Sequence, residues 1–210
     1  MRNLFPIHDD RKTQQMSNDS YYHVYTLSKT LCDPLLSWYS EVQTTWLCPG
    51  CRKPKPMTEA VDAYLDSPPP NAPLNGIQGT GVGVIRKDFL AVLGDEVVRN
   101  YLMLGKVFDS FGKEQPSYAT FLGKQKLYIR GNEDSTCRIC EICGQTVYFP
   151  LGPNYLMSNS LTGVPLYQSN MGQLIVDERL HQRIKQVEWK RVGSRKLPVL
   201  NQPKDGRCDL

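Results

Sequence analysis

Cys48-Pro49-Gly50-Cys51 and Cys140-Glu141-Ile142-Cys143 carry the residue types and the spacing best suited to chemistry in this chain. That chemistry is metal binding. A Cys-x-x-Cys turn sets two thiolates on one side of a tight loop, and two such turns supply the four sulfurs a structural Zn²⁺ takes. Pro49 and Gly50 suit the first turn, and Gly144 follows the second, where a positive φ is often needed. Cys137-Arg138-Ile139-Cys140 has the same spacing, so Cys137 also competes for a place in the set. The glycine after Cys143 favours Cys140 and Cys143. With Cys48, Cys51, Cys140 and Cys143 as ligands the site has no open position, so its expected role is structural. It would clamp segments roughly ninety residues apart, whose ordering entropy otherwise opposes folding.

The competing readings are two local disulfides or buried thiols without metal. A thioredoxin-type redox pair would need a helix starting at the cysteines within a βαβ unit. Pro49, with lysines and prolines after Cys51, does not read as a helix. Seven cysteines, an odd number grouped at CxxC spacing, suit a reducing cytoplasm better than a secreted disulfide frame.

Other candidate residues carry less. Gly76, Gly79, Gly81 and Gly83 form neither a GxGxxG nor a Lys-Ser/Thr phosphate loop, and read as a flexible connection. His8, His23 and His181 are isolated, and His181 is expected on a solvated helix face. Asp177 and Glu178 complement the start of that helix. No nucleophile, base and acid stand together in the sequence, so no enzymatic activity is expected. From Arg179 onward nine basic side chains face three acidic ones, a local +6 within a chain of formal charge +4. This basic end, with Trp189 beside Lys190 and Arg191, offers a nucleic-acid contact as the alternative function.

The elements that must position these residues follow from pattern. A chain of 210 residues, 40% hydrophobic and 22% charged, can bury a core of its own. No apolar run reaches membrane-spanning length, and Pro6, Asp9 and Asp10 interrupt any leader-like start. Residues 1–20 read as a flexible N-terminal arm, 21–200 as one α+β domain, and 201–210 as a C-terminal tail. Strands are expected at Tyr21 to Tyr25, at Thr44 to Leu47 leading into the first cysteines, at Gln125 to Arg130, and at Thr146 to Phe149. Ser67 to Pro73 is too proline-rich for helix or central strand. Helices are expected from Arg86 to Leu93 and Asp95 to Leu104. Another runs from Asp177 to Gln186 after the apolar Leu174 to Val176, with Leu180, Ile184 and Val187 on one face. Val187 to Val192, a Gly193-Ser194 turn and Leu197 to Leu200 would then close the chain as a terminal strand or a hairpin.

The order of these features resembles a known family. Trp46-Leu47-Cys48-Pro49-Gly50-Cys51, a proline-rich connection, a glycine-rich loop, Cys140 to Gly144, and Ile175 to Leu180 resemble the bacterial double-CxxCG motif proteins. Arg52 stands where that motif has its first glycine. The family includes immunity proteins of toxin–immunity pairs. The resemblance therefore implies a zinc-ribbon-like pair of knuckles in an α+β protein that binds and occludes a cognate toxin.

Overall fold

The computed structural model describes residues 20–26, 31–55, 59–131, 136–149, 153–170 and 172–200. His8, Cys208, the expected arm up to residue 19 and the expected tail lie outside them. The chain contains both helices and sheets. It opens with β1 (Tyr21–Thr26) and α1 (Leu36–Thr45), then β2 (Ala63–Tyr64), β3 (Leu74–Gly76) and β4 (Gly83–Arg86). Two helices, α2 (Lys87–Leu93) and α3 (Asp95–Tyr101), precede β5 (Leu102–Gly105), β6 (Val107–Phe108) and β7 (Tyr118–Gly123). Short strands β8 (Lys126–Leu127) and β9 (Ile129–Arg130) lead to β10 (Thr136–Ile139), β11 (Thr146–Phe149) and β12 (Tyr155–Met157). The last elements are β13 (Leu166–Ser169), β14 (Leu174–Asp177), α4 (Glu178–Lys185), β15 (Val192–Leu197) and β16 (Val199–Leu200).

Two larger sheets carry the molecule. One has the order β15-β1-β14-β13-β8, and the other β3-β4-β7-β5. Their central strands, β13 and β14 in one and β4 and β7 in the other, are buried on both faces. On β4 and β7, Ile85 and Phe121 enter one core, with Val24, Leu174 and Val176 of the first sheet and Phe89, Leu93 and Leu180 of the helices. Val84 and Leu122 point the other way, onto Trp38 and Val42 of α1. The far face of the five-stranded sheet, through Tyr21, Tyr167 and Ile175, meets Ile129 and Leu156 of the small β16-β12-β9 sheet. Gly83 is fixed by this packing: a Cβ there would lie 2.1 Å from the ring of Phe121, its register partner.

Several expectations are corrected. Thr44 and Thr45 belong to the last turn of α1, not to a strand. Trp38 and Val42, four residues apart, bury one face of that helix, and both threonine hydroxyls bond back to the Glu41 carbonyl. The helix from Asp95 stops at Tyr101, because Leu102 turns extended to pair with β7. Lys126 to Arg130 keeps its alternation, yet it splits between two sheets as β8 and β9. Val187 lies beyond α4 and is exposed, while Leu180 and Ile184 are buried. Gly193 and Ser194 are not a turn. They sit inside β15, which pairs along its length with β1, and Val199–Leu200 joins β12 instead of closing a hairpin. Among the described residues no helix is long and apolar enough to cross a membrane.

Candidate metal centre

The first cysteine turn hangs from the C-terminal end of α1, and the second joins β10 to β11. Their backbones are alike residue for residue. The Cys48 amide donates to the Lys53 carbonyl at 3.0 Å, and the Cys140 amide to the Gln145 carbonyl at 2.9 Å. Arg52 N–H donates to the Cys48 carbonyl, and Gly144 N–H to that of Cys140, both at 2.8 Å. The residue after each second cysteine is left-handed, with φ of 58° at Arg52 and 70° at Gly144. The glycine missing from the first motif has therefore not changed the turn. Arg52 adopts the conformation itself, and its guanidinium donates to Gln43 Oε1 on α1.

The sulfurs of Cys48, Cys51, Cys140 and Cys143 all lie within 4.8 Å of one another. Cys48 and Cys140 are 3.7 Å apart, and Cys51 and Cys143 are 3.6 Å apart. A disulfide would bring two sulfurs to about 2.05 Å, so none of these pairs is bonded. Four thiolates around an ion at about 2.3 Å have tetrahedral edges of about 3.8 Å, so the four cysteines fit a metal ion between them. Cys137 lies outside the group, on β10 opposite Tyr148, and is not a free thiol. Gln145 Nε2 donates to the Pro54 carbonyl at 3.1 Å, linking the two turns.

Backbone amides converge on the sulfurs in the same matched way. Those of Cys51 and Gly50 reach Cys48, and those of Cys143 and Ile142 reach Cys140. Lys53 and Gln145 supply one each to Cys51 and Cys143. N–H groups aimed at sulfur favour the thiolate over the thiol. The Cys51 amide is the main reason the Cys48 thiol is pulled down to about 6, and the Cys143 amide pulls Cys140 down likewise. Four negative sulfurs cannot coexist without a cation. Burial first, then the Cys48 and Cys140 sulfurs, holds Cys51 up. At Cys143 the Gln145 amide works downward, but burial and the other three sulfurs together push it up to about 12. A divalent ion relieves that repulsion.

The remaining candidates are not gathered here. The glycine-rich stretch is a loop between β3 and β4, and His23 lies within β1. His181 is not on a solvated face: it is 5% exposed, stacked at 3.8 Å on Tyr22, with Nε2 2.7 Å from Ser194 Oγ. The sequence did not signal this pairing, because Tyr22 comes from the other end of the chain. Burial keeps the ring neutral, and Nδ1 is buried without a partner. A proton on Nδ1 would bury an unpaired donor, whereas one on Nε2 is donated to Ser194. Cys32 is a core thiol, its pKa pushed up to about 12 by burial.

No family model matches the chain, and no curated protein matches it.

Proposed function

We propose that Cys48, Cys51, Cys140 and Cys143 hold one Zn²⁺ in a closed structural site, within a protein whose function is to bind and occlude a cognate toxin. One observation carries the metal: four sulfurs at tetrahedral spacing, each met by backbone amides, in two turns of matching geometry. Four soft thiolates select zinc or iron over harder ions, and zinc suits a site without redox work. The ion would supply cross-linking alone, joining the end of α1 to the β10–β11 hairpin. The toxin half rests on the resemblance of the cysteine turns and the Ile175 to Leu180 segment to immunity proteins. A rigid surface loses little freedom on docking, which is what a clamp contributes to affinity.

Elemental analysis of the purified protein tests the first half. One zinc per chain, lost on changing any of the four cysteines to serine and retained in Cys137→Ser, is expected; iron, or no metal, overturns it. Co-expression with a toxin-domain protein, sought first among the products of neighbouring genes, tests the second. Failure to protect cells, with metal still bound, would remove the immunity role and leave the metal site standing.

A further inference from the structure

The five-stranded sheet ends at β15, whose only strand partner among the described residues is β1. Its outer edge therefore presents backbone donors and acceptors to whatever lies beside it. Alongside the start of that strand runs a cleft of about 480 Å³, formed with the last turn of α4 and the segment after it. Ile184, Val187, Trp189 and Val192 give it an apolar lining, and Lys185, Glu188 and Lys190 are at its walls. Between residues 183 and 197 six side chains are cationic, and Glu188 alone is acidic. Recognition by strand addition uses backbone pairing at a sheet edge and pockets for alternate side chains, and the net cationic charge of this segment favours an acidic occupant.

We propose that this cleft receives an extended acidic segment of a partner protein as an added strand on β15. Backbone pairing would give the affinity, alternate apolar side chains would enter the trough, and the acidic ones would meet the lysines. The inference does not depend on the partner being a toxin, and none of the lining residues belongs to the cysteine cluster. A nucleic acid fits less well. Trp189 is not a free stacking platform: its ring lies against Phe89, with centroids 5.3 Å apart, and the Arg86 guanidinium sits 5.9 Å from its centroid. Stacking on an open aromatic face is what single strands use.

The test is selection of a displayed random octapeptide library on the full-length protein. Enriched peptides should alternate acidic and apolar residues. A synthetic enriched peptide should lose at least tenfold in affinity when Lys185→Glu and Lys190→Glu are combined, both positions being exposed. It should lose as much when the backbone nitrogens facing the edge are methylated. In hydrogen exchange it should protect amides of β15. Enrichment without acidic residues, tolerance of methylation, protection confined to other strands, or displacement of the peptide by a single-stranded oligonucleotide would each overturn the proposal. Failure of toxin protection leaves these readouts unchanged.

Discussion

The two cysteine turns share a backbone and differ in where each places its glycine. Two residues after the first cysteine the chain has Gly50 in one turn and Ile142 in the other; one residue after the second it has Arg52 and Gly144. Each turn carries a glycine where its counterpart carries a side chain. Gly50 answers a need for space, since a Cβ there would meet Ile142 Cδ1 at 2.9 Å and Cys140 Sγ at 3.2 Å. Gly144 answers a need for φ, since a Cβ there would meet nothing within 4 Å. One residue type thus solves two different problems in one motif. Reading both glycines as the same signal hides that only one of them is about fit. Arg52 shows that the conformational need can be met at a cost, the steric one less easily.

The largest effect should erase the comparison. Changing a ligand in either turn to serine should abolish metal binding and remove a cross-link spanning roughly ninety residues, worth about 4–5 kcal/mol on chain-entropy grounds. Tm should fall by roughly 10–20 °C with either turn, and chelation should do the same to the native chain. A drop confined to one turn would show that the two are not halves of one site.

Acid should act on both turns alike, since protons would compete with a bound metal for the thiolates, yet two histidines elsewhere respond too. Burial, and the Arg195 guanidinium opposite it on β15, hold His23 down at about 4. The unfolded chain therefore takes up that proton first, and stability present above pH 6.5 is lost as pH falls toward 4, by at most about 3 kcal/mol. In urea titrations across that range, His23→Gln should flatten the slope; an unchanged slope would assign the acid sensitivity to the cysteines and His181 instead.

Gly50→Ala should then cost about 1 kcal/mol and loosen the metal, because the exposed Ile142 side chain can swing partly aside while Cys140 Sγ must give way. Ile142→Ala in the same chain should restore most of it, a coupling read from a double-mutant cycle. Additive losses would mean that the two turns do not interlock there. Gly144→Ala should cost about 1 kcal/mol with metal content unchanged, because only backbone strain is added. Smallest of all, Arg52→Gly should stabilise by up to about 1 kcal/mol. A loss instead would show that the Gln43 contact outweighs the strain.

Much of this site was legible because it is local in sequence. Cysteine spacing and the glycine after Cys143 are read in four or five residues, and the choice against Cys137 agrees with the sulfur geometry. The equivalence of Arg52 with Gly144 was not legible, since nothing in residue type announces a left-handed arginine. α1 was missed for a related reason. Thr44, Thr45, Trp46 and Leu47 favour strands, and only the burial of Trp38 and Val42 against the four-stranded sheet overrides that preference. The strands at Tyr21, Thr146 and Leu174 were clear because aromatic and β-branched residues favour extended chain, and the unbroken apolar run from Leu174 agrees with its burial. The stacking of Tyr22 on His181 was out of reach, because it depends on two distant strands becoming neighbours.

The placement of β1 has a consequence for how the molecule is made. Both of its neighbours, β14 and β15, lie near the far end of the chain. On a ribosome the segment Tyr-Tyr-His-Val-Tyr-Thr emerges early and then waits, on the order of ten seconds at ordinary elongation rates, for either partner to be synthesised. The β3-β4-β7-β5 layer, drawn wholly from residues 74–123, can assemble meanwhile and offer β1 a surface to rest on. Synthesis order thus puts the middle of the protein first and leaves its beginning to be completed by its end.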